Sequence, residues 1–168
     1  MINSAQQLES SGADFVILCT NSLHFCANKI AENINIPFLH IAEATGLKIA
    51  KSNIKKVALL GTRFTMEMDF YANLLLEKFG VEVIIPEEQD RELLHRIIYE
   101  ELVHGKVLGQ SRELVKEMIR KLIQKGACGV ILGCTEIPML ISDSDVDIPV
   151  FNTTKIHAEK AVEWAVQF

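Results

Sequence analysis

The sequence lacks the segments that would attach a protein to nucleic acid or to a membrane. Its 168 residues carry 22 acidic against 17 basic side chains, a formal net charge of −5, with no run of Lys and Arg. Because phosphate backbones are bound by clustered basic side chains, no nucleic-acid partner is expected. The longest apolar runs are far too short to span a bilayer, and the first ten residues are neither basic nor apolar. We therefore expect a cytoplasmic protein with no membrane partner.

Several catalytic signatures are missing too. No Cys-x-x-Cys pair or similar tight ligand spacing occurs, so no metal site is expected. Without a glycine-rich phosphate loop, the sequence gives no support for ATP, nicotinamide or pyridoxal phosphate as cofactors. A secreted disulfide scaffold would be shorter and poorer in apolar strands. The four cysteines are therefore expected to be reduced thiols: Cys19, Cys26, Cys128 and Cys134.

What the sequence does contain is apolar material in a regular order. Hydrophobic residues make up 49% of the chain, and short apolar runs alternate with longer amphipathic segments. This alternation predicts an α/β fold with mostly parallel sheets flanked by helices. The predicted strands are residues 15–19, 38–41, 56–60, 81–85, 129–133 and 150–151. The predicted helices are residues 3–10, 23–33, 43–52, 65–79, 90–104, 110–125 and 154–166.

One stretch of the sequence occurs twice. Residues 12–20 are similar to residues 126–135, and each copy is followed by an Ile-Pro element, at residues 36–37 and 148–149. A duplicated α/β half explains both matches, although Gly-Ala-x-x-Val-Ile-Leu is also common strand sequence. We expect two pseudo-symmetric lobes, residues 1–54 plus 149–168 and residues 55–148. The first copy is preceded by about two fewer strand–helix units, so we expect the first lobe to be incomplete at its N-terminus.

The duplication places one Cys-Thr pair at the end of each equivalent strand. Functional side chains of open α/β sheets sit at these carboxyl ends. A helix N-terminus or nearby backbone N–H groups would lower the pKa of such a thiol toward neutrality. Facing halves would bring Cys19 and Cys134 into one cleft from opposite sides. That arrangement suits the removal of a proton from one face of a carbon and the delivery of another to the opposite face.

Short polar residues surround both thiols, and each has two interpretations. They hold a substrate carboxylate or ammonium, or they only cap the next helix or lie in a solvated turn. The candidates are Thr20, Asn21, Ser22, Thr62, Arg63, Thr135, Glu136 and the run 152–154.

The sequence gives weaker support for a role of the remaining histidines and cysteines in the site. His24 either tunes the Cys19 thiol or only packs. His40 is expected to be structural. Cys26 and Cys128 are expected to be small core residues. We expect surface positions for His95, His104 and His157.

These residues together resemble the aspartate/glutamate racemase family of cofactor-independent, two-cysteine amino-acid racemases. The likeness rests on residues 16–24 and 129–138, with further matches at residues 37–42, 60–66, 98–102 and 151–154. It implies paired lobes around an amino-acid substrate, a homodimer, and interconversion of L- and D-amino acids without metal or pyridoxal phosphate. Cys19 and Cys134 would be the acid/base pair. The implied substrate contacts are Thr20, Asn21, Ser22, Thr62, Thr135 and Glu136. The run Cys-Thr-Asn-Ser-Leu-His is more similar to broad-specificity members than to those that use aspartate alone.

The sequence departs from the family pattern in two places. Family members begin with a strand and a Gly-Gly-Met-Ser-Trp type of loop that contributes to the substrate site, and we expect this chain to lack that loop. Asn152 stands where the family more often has Asp. These departures leave open a truncated, inactive amino-acid-binding or interaction module. Two other open alternatives are a thiol–disulfide switch between Cys19 and Cys134 and an isomerase or decarboxylase acting on a dicarboxylic acid.

Overall fold

In the computed structural model, which describes residues 1–167, strands and helices alternate along the chain. The strands are β1 (Val16–Ile17), β2 (Phe38–Leu39), β3 (Lys56–Gly61), β4 (Glu82–Ile84), β5 (Val130–Gly133) and β6 (Val150–Asn152). The helices are α1 (Ile2–Ser10), α2 (Ala27–Ala31), α3 (Ile41–Ala50), α4 (Arg63–Glu67), α5 (Asp69–Phe79), α6 (Glu88–Arg96), α7 (Gly109–Gln124) and α8 (Thr153–Ala165). Short 3₁₀ turns occupy Ser22–Cys26, Leu102–His104, Ile137–Met139 and Asp143–Asp145, and a π-helical turn occupies Ile97–Glu101.

All of the strand pairs are parallel. β1 and β2 form a two-stranded sheet, and the other four strands form a second sheet in the order β4-β3-β5-β6. Helices α6 and α7 pack on the face of this second sheet that carries Ala58 and Leu60. Helices α3, α5 and α8 pack on the face that carries Val57 and Leu59. Because both faces are covered, β3 is a continuous apolar run, and the predicted α/β class is confirmed.

The two copies of the internal repeat fold alike. Val16 N–H donates to the Pro37 carbonyl at 2.8 Å, and Val130 N–H donates to the Pro149 carbonyl at 2.9 Å. Each copy therefore pairs its Cys-bearing strand in parallel with the strand of its Ile-Pro element. Both begin with a glycine just beyond a helix, at φ 89° and 95°, where a side chain would be strained. The duplication is thus a repeated helix–glycine–strand unit with a partner strand.

The strand β6 pairs with a strand of the other predicted lobe, and the division into lobes stays a prediction. Residues 149–168 were expected in the first lobe, but Val150–Asn152 pairs with β5 in the four-stranded sheet. The reason lies in the repeat: Ile148-Pro149 has the same position beside β5 that Ile36-Pro37 has beside β1, each within its own sheet. The predicted boundary near residue 55 also stays a prediction. Helix α3, which belongs to the first predicted lobe, packs on the four-stranded sheet.

Two predicted long helices are interrupted. The segment predicted at residues 65–79 breaks at Met68, whose backbone is extended at φ −84° and ψ 132°. The segment predicted at residues 90–104 changes to a π turn at Ile97 and a 3₁₀ turn at Leu102. Buried Ile97, Ile98 and Leu102 keep that segment against the core, whereas Tyr99 and Val103 are about half exposed. Tyr99 and Val103 therefore lie outside the core-facing side of this segment.

Candidate active site

A cavity of about 400 Å³ lies where the chain leaves β1, β3 and β5. It contains side chains from both copies of the repeat and from the turn that starts α4. All eight of the residues predicted for catalysis or substrate binding line it. The lining residues are Cys19, Thr20, Asn21, Ser22, Leu23, Thr62, Tyr99, Val103, Gly133, Cys134, Thr135 and Glu136.

The two thiols of the cavity differ in environment. Cys19 is exposed, whereas Cys134 is buried at 6% relative exposure. The Cys134 thiol donates a hydrogen bond to Glu136 Oε2, with Sγ 2.7 Å away. Burial, and next this bond to a carboxylate, raise the pKa of Cys134 to about 12. The expected lowering of the thiol pKa is therefore wrong for Cys134, because burial and a negative neighbour outweigh the backbone N–H groups.

Glu136 has the opposite shift. Burial acts to raise the pKa of its carboxyl group, but hydrogen bonds from Cys134, from Thr135 and from its own backbone N–H outweigh that effect and lower the pKa. Glu136 is half-buried on the cavity wall and is therefore a carboxylate at neutral pH.

Three hydroxyl groups form a cluster on one wall. Ser22 Oγ lies 3.0 Å from Thr62 Oγ1 and 2.9 Å from Thr65 Oγ1, and the two threonine oxygens are 3.2 Å apart. Thr62 also caps α4, since its Oγ1 accepts from Thr65 N–H at 3.3 Å. The capping interpretation and the cavity-lining one therefore both hold for Thr62. The cluster connects the loop after β1 with the turn after β3.

Asn21 links the two copies of the repeat through Thr153. The Thr153 hydroxyl donates to the Leu132 carbonyl at 2.8 Å and accepts from Asn21 Nδ2 at 3.0 Å. Because the Thr153 hydroxyl donates its proton to Leu132, its oxygen can only accept a hydrogen bond from Asn21. The Asn21 amide is therefore oriented with Nδ2 toward Thr153. Asn21 Oδ1 is buried with no hydrogen-bond partner among the described residues. Asn21 therefore carries an unused acceptor that is covered by the surrounding protein.

His24 lies behind the cavity and uses both ring nitrogens. Nε2 accepts from Ile41 N–H at 3.1 Å, so in the neutral ring Nδ1–H donates to the Thr20 carbonyl, 2.6 Å away. Burial first, then the neighbouring His40, lower the pKa of His24 to about 3. His24 thus joins the backbone beside Cys19 to the start of α3.

The other histidines divide between core and surface. His40 is structural as predicted, since it caps α3 by accepting from Ala42 N–H at 3.1 Å. His157 was expected at the surface but is only 4% exposed, with Nε2 2.9 Å from the Leu39 carbonyl; α8 packs on α3 there. His104 is exposed, and His95 is half-buried with its ring 4.6 Å from that of Tyr99.

Of the two remaining cysteines, one contradicts its prediction. Cys128 is exposed, because it precedes β5 rather than lying within it. Cys26 is partly buried against Val16 and Ile30. Among residues 1–167, no group of three or more His, Cys, Asp or Glu side chains is placed to hold a metal ion. Within the same part of the chain, no helix combines the length and apolar character needed to cross a membrane.

Four lining residues were not among the predicted site residues: Leu23, Tyr99, Val103 and Gly133. Gly133 pairs with Gly61 at the ends of β5 and β3, and a Cβ on Gly61 would lie 2.9 Å from the Gly133 carbonyl oxygen. The signal for Leu23 and Gly133 was their position beside the two Cys motifs. Tyr99 lies in the family-like segment 98–102, which could have indicated it, whereas Val103 lies just beyond that segment and carries no such signal.

Known proteins are similar to this chain over nearly its whole length. A family model described as Asp/Glu/hydantoin racemase matches residues 1–161. The chain belongs to this racemase family. The broad specificity amino-acid racemase RacX of Bacillus subtilis is 23% identical over 169 residues, which cover 96% of the chain and 69% of that protein.

Two solved structures of the racemase family superpose closely on the chain. One is a candidate Asp/Glu racemase from Yersinia pestis, with a TM-score of 0.94 and 45% identity. The other is an aspartate racemase homologue from Pyrococcus horikoshii OT3, with a TM-score of 0.90 and 38% identity. Each comparison covers 98% of this chain and 72% of the other.

Proposed function

We propose that this chain interconverts L- and D-amino acids by proton transfer at the α-carbon, with Cys19 and Cys134 as the acid/base pair. The observation that carries the proposal is that two thiols, each following an equivalent strand of a repeated unit, line one cavity. Membership of a racemase family supports the same reaction class. No metal or pyridoxal phosphate takes part in the proposed reaction.

The environments of the two thiols suggest a first step. The raised pKa of Cys134 keeps it protonated, so it is the proton donor. The proposed reaction requires a base on the other side, and the Cys19 sulfur has this role: it takes the α-proton, and the electron pair of the broken C–H bond is delocalised into the substrate carboxylate. Cys134 then gives its proton to the opposite face of the carbon. The thiolate left on Cys134 is the base for the reverse direction.

Polar groups of the cavity are assigned to the two ends of the amino acid. The hydroxyls of Ser22 and Thr62, with Thr20 and Thr135, donate to the α-carboxylate, which also stabilises negative charge that develops there. The Glu136 carboxylate receives the α-ammonium. Both assignments use groups that already line the cavity.

The decisive experiment follows α-deuterium incorporation and loss of optical rotation in heavy water, with a panel of L-amino acids. Cys19→Ser and Cys134→Ser are expected to lower both rates at least about a hundredfold, the contribution typical of general acid–base groups. Cys128→Ser is the matched control, since Cys128 is exposed and does not line the cavity. Exchange that both site variants leave unchanged would contradict the proposal. Thermal stabilisation by amino acids without any exchange would favour a binding module instead.

We propose further that the chain forms a homodimer. Within residues 1–167, β1 pairs only with β2, and Ile17 on β1 is 36% exposed. Open strand edges pair readily with a second chain. Sedimentation analysis is expected to give a dimer that Ile17→Lys weakens and Leu114→Lys, on the exposed face of α7, does not. A monomer at all concentrations would contradict this.

A further inference from the structure

The cavity has an unusual charge distribution for a site that would hold a dicarboxylic amino acid. Among the described residues that line it there is no Lys, Arg or His, and Glu136 is the only carboxylate. Arg63, next to Thr62, does not line it, because its guanidinium is paired with Glu92 at 3.0 Å and lies near Glu67 at 3.8 Å. A second substrate carboxylate would therefore meet a negative charge and no cation.

Three apolar side chains form part of the cavity wall. Leu23, Tyr99 and Val103 line it and remain 42%, 52% and 53% exposed. Leu23 comes from the 3₁₀ turn after Cys19, and the other two come from the π and 3₁₀ turns after α6. An apolar ligand group that covers such exposed apolar side chains stabilises the complex, because it removes apolar surface from water. The Tyr99 ring is supported by the His95 ring, 4.6 Å away.

Resting on the proposed function, we propose that the substrates are amino acids with uncharged, apolar side chains, and that Tyr99 and Val103 set this specificity. The thiols and the polar wall hold the α-carbon and its two charged groups, and the substrate side chain extends toward Leu23, Tyr99 and Val103. Aspartate and glutamate are rejected by charge rather than by size. Tyr99 lies on the π turn and lines the cavity, while Ile97 and Ile98 of the same turn are buried.

The test measures kcat/KM for α-deuterium exchange with leucine, methionine, aspartate and glutamate. The unchanged chain is expected to prefer leucine and methionine. Val103→Lys, which adds a cation to the wall, is expected to raise kcat/KM for glutamate relative to leucine by about tenfold. Val107→Lys is the matched control, since Val107 is exposed at 41% and does not line the cavity.

Each outcome separates this inference from the function on which it rests. Exchange of aspartate or glutamate at least as fast as leucine overturns the inference and leaves the racemase function intact. If no amino acid exchanges, the racemase function fails, and titration calorimetry then tests specificity alone. Binding of leucine with no binding of glutamate supports the inference. Binding of glutamate, or of neither, overturns it.

Discussion

The thiol of Cys134 and the carboxylate of Glu136 form a hydrogen bond, with Sγ 2.7 Å from Oε2. The pair lies two residues apart on the turn that follows β5. Burial first, and then the hydrogen bond to Glu136, raise the pKa of Cys134. The bond couples the protonation of Cys134 to the charge of its neighbour.

Glu136→Gln is expected to lower the pKa of Cys134, because the amide keeps a hydrogen-bond acceptor but carries no negative charge. Burial would still hold the pKa above its ordinary value. The measurement is the pH dependence of Cys134 alkylation, followed by mass spectrometry in a Cys19→Ser background. Glu113→Gln, at an exposed position on α7, is the control. An unchanged or higher pKa in Glu136→Gln would show that the carboxylate does not act on the thiol.

Thr153→Val is expected to reduce stability by about 1–3 kcal/mol, because it leaves the Leu132 carbonyl and the Asn21 amide without their partner. It should also reduce exchange activity by freeing the Asn21 amide to rotate. Urea unfolding and the exchange assay measure the two effects. Thr153→Ser should restore both, and Thr154→Val, at the exposed neighbour, should change neither. Equal stability losses in the two valine variants would refute the link.

Stability is expected to fall as pH decreases through the range of the buried histidines. Burial lowers the pKa of His24 to about 3 and of His40 to about 4, and the pKa of His157 is lowered in the same way. The unfolded chain binds protons near the ordinary value of 6.5, so below that pH it holds more protons than the folded chain. The free energy of unfolding then falls by up to about 1.4 kcal/mol per pH unit for each neutral histidine.

Urea unfolding between pH 7 and pH 4.5 measures this slope. His24→Asn removes one titrating group, so its slope should be shallower even if its stability at pH 7 is lower. His104→Asn, at an exposed position, should retain the slope of the unchanged chain. A flat profile in the unchanged chain would mean that the histidines are not neutral in the fold.

Gly61→Ala is expected to lower stability by about 1–3 kcal/mol, because its Cβ would lie 2.9 Å from the Gly133 carbonyl oxygen and 3.1 Å from Thr65 Cβ. The change should also disturb the hydroxyl cluster, which includes Thr65. Gly109→Ala is the control, since nothing lies within 4 Å of its added Cβ at the start of α7. Differential scanning calorimetry compares the Gly61→Ala and Gly109→Ala variants. Equal melting temperatures would show that stability does not depend on the close approach of Gly61 to the Gly133 carbonyl oxygen.

The sequence was sufficient for the features that repeat or follow from local pattern. The Gly-Ala-x-x-Val-Ile-Leu repeat predicted two equivalent strands, and the position of Cys19 and Cys134 after them predicted that both would reach one cavity. Parallel strands place their carboxyl ends together, so the polar neighbours were predictable too. The chemical roles of Cys19, Cys134 and these polar neighbours stay predictions.

Features set by packing between distant segments were not predictable. His157 is buried because α8 meets α3, and nothing in the periodicity of α8 indicates that contact. The raised pKa of Cys134 depends on its burial and on the orientation of Glu136. The π turn at Ile97–Glu101, which carries Tyr99 on the cavity wall, lies in a segment that has ordinary helical periodicity.

The unequal exposure of Cys19 and Cys134 has an isotopic consequence for the proposed reaction. The two enantiomers have the same free energy in water. The two thiols are nevertheless expected to exchange their hydrogen with water at different rates, because Cys19 is exposed and Cys134 is buried and bonded to Glu136. In heavy water, a product that receives its new hydrogen from Cys19 gains solvent deuterium rapidly. A product that receives it from Cys134 retains more of the protium taken from earlier substrate molecules.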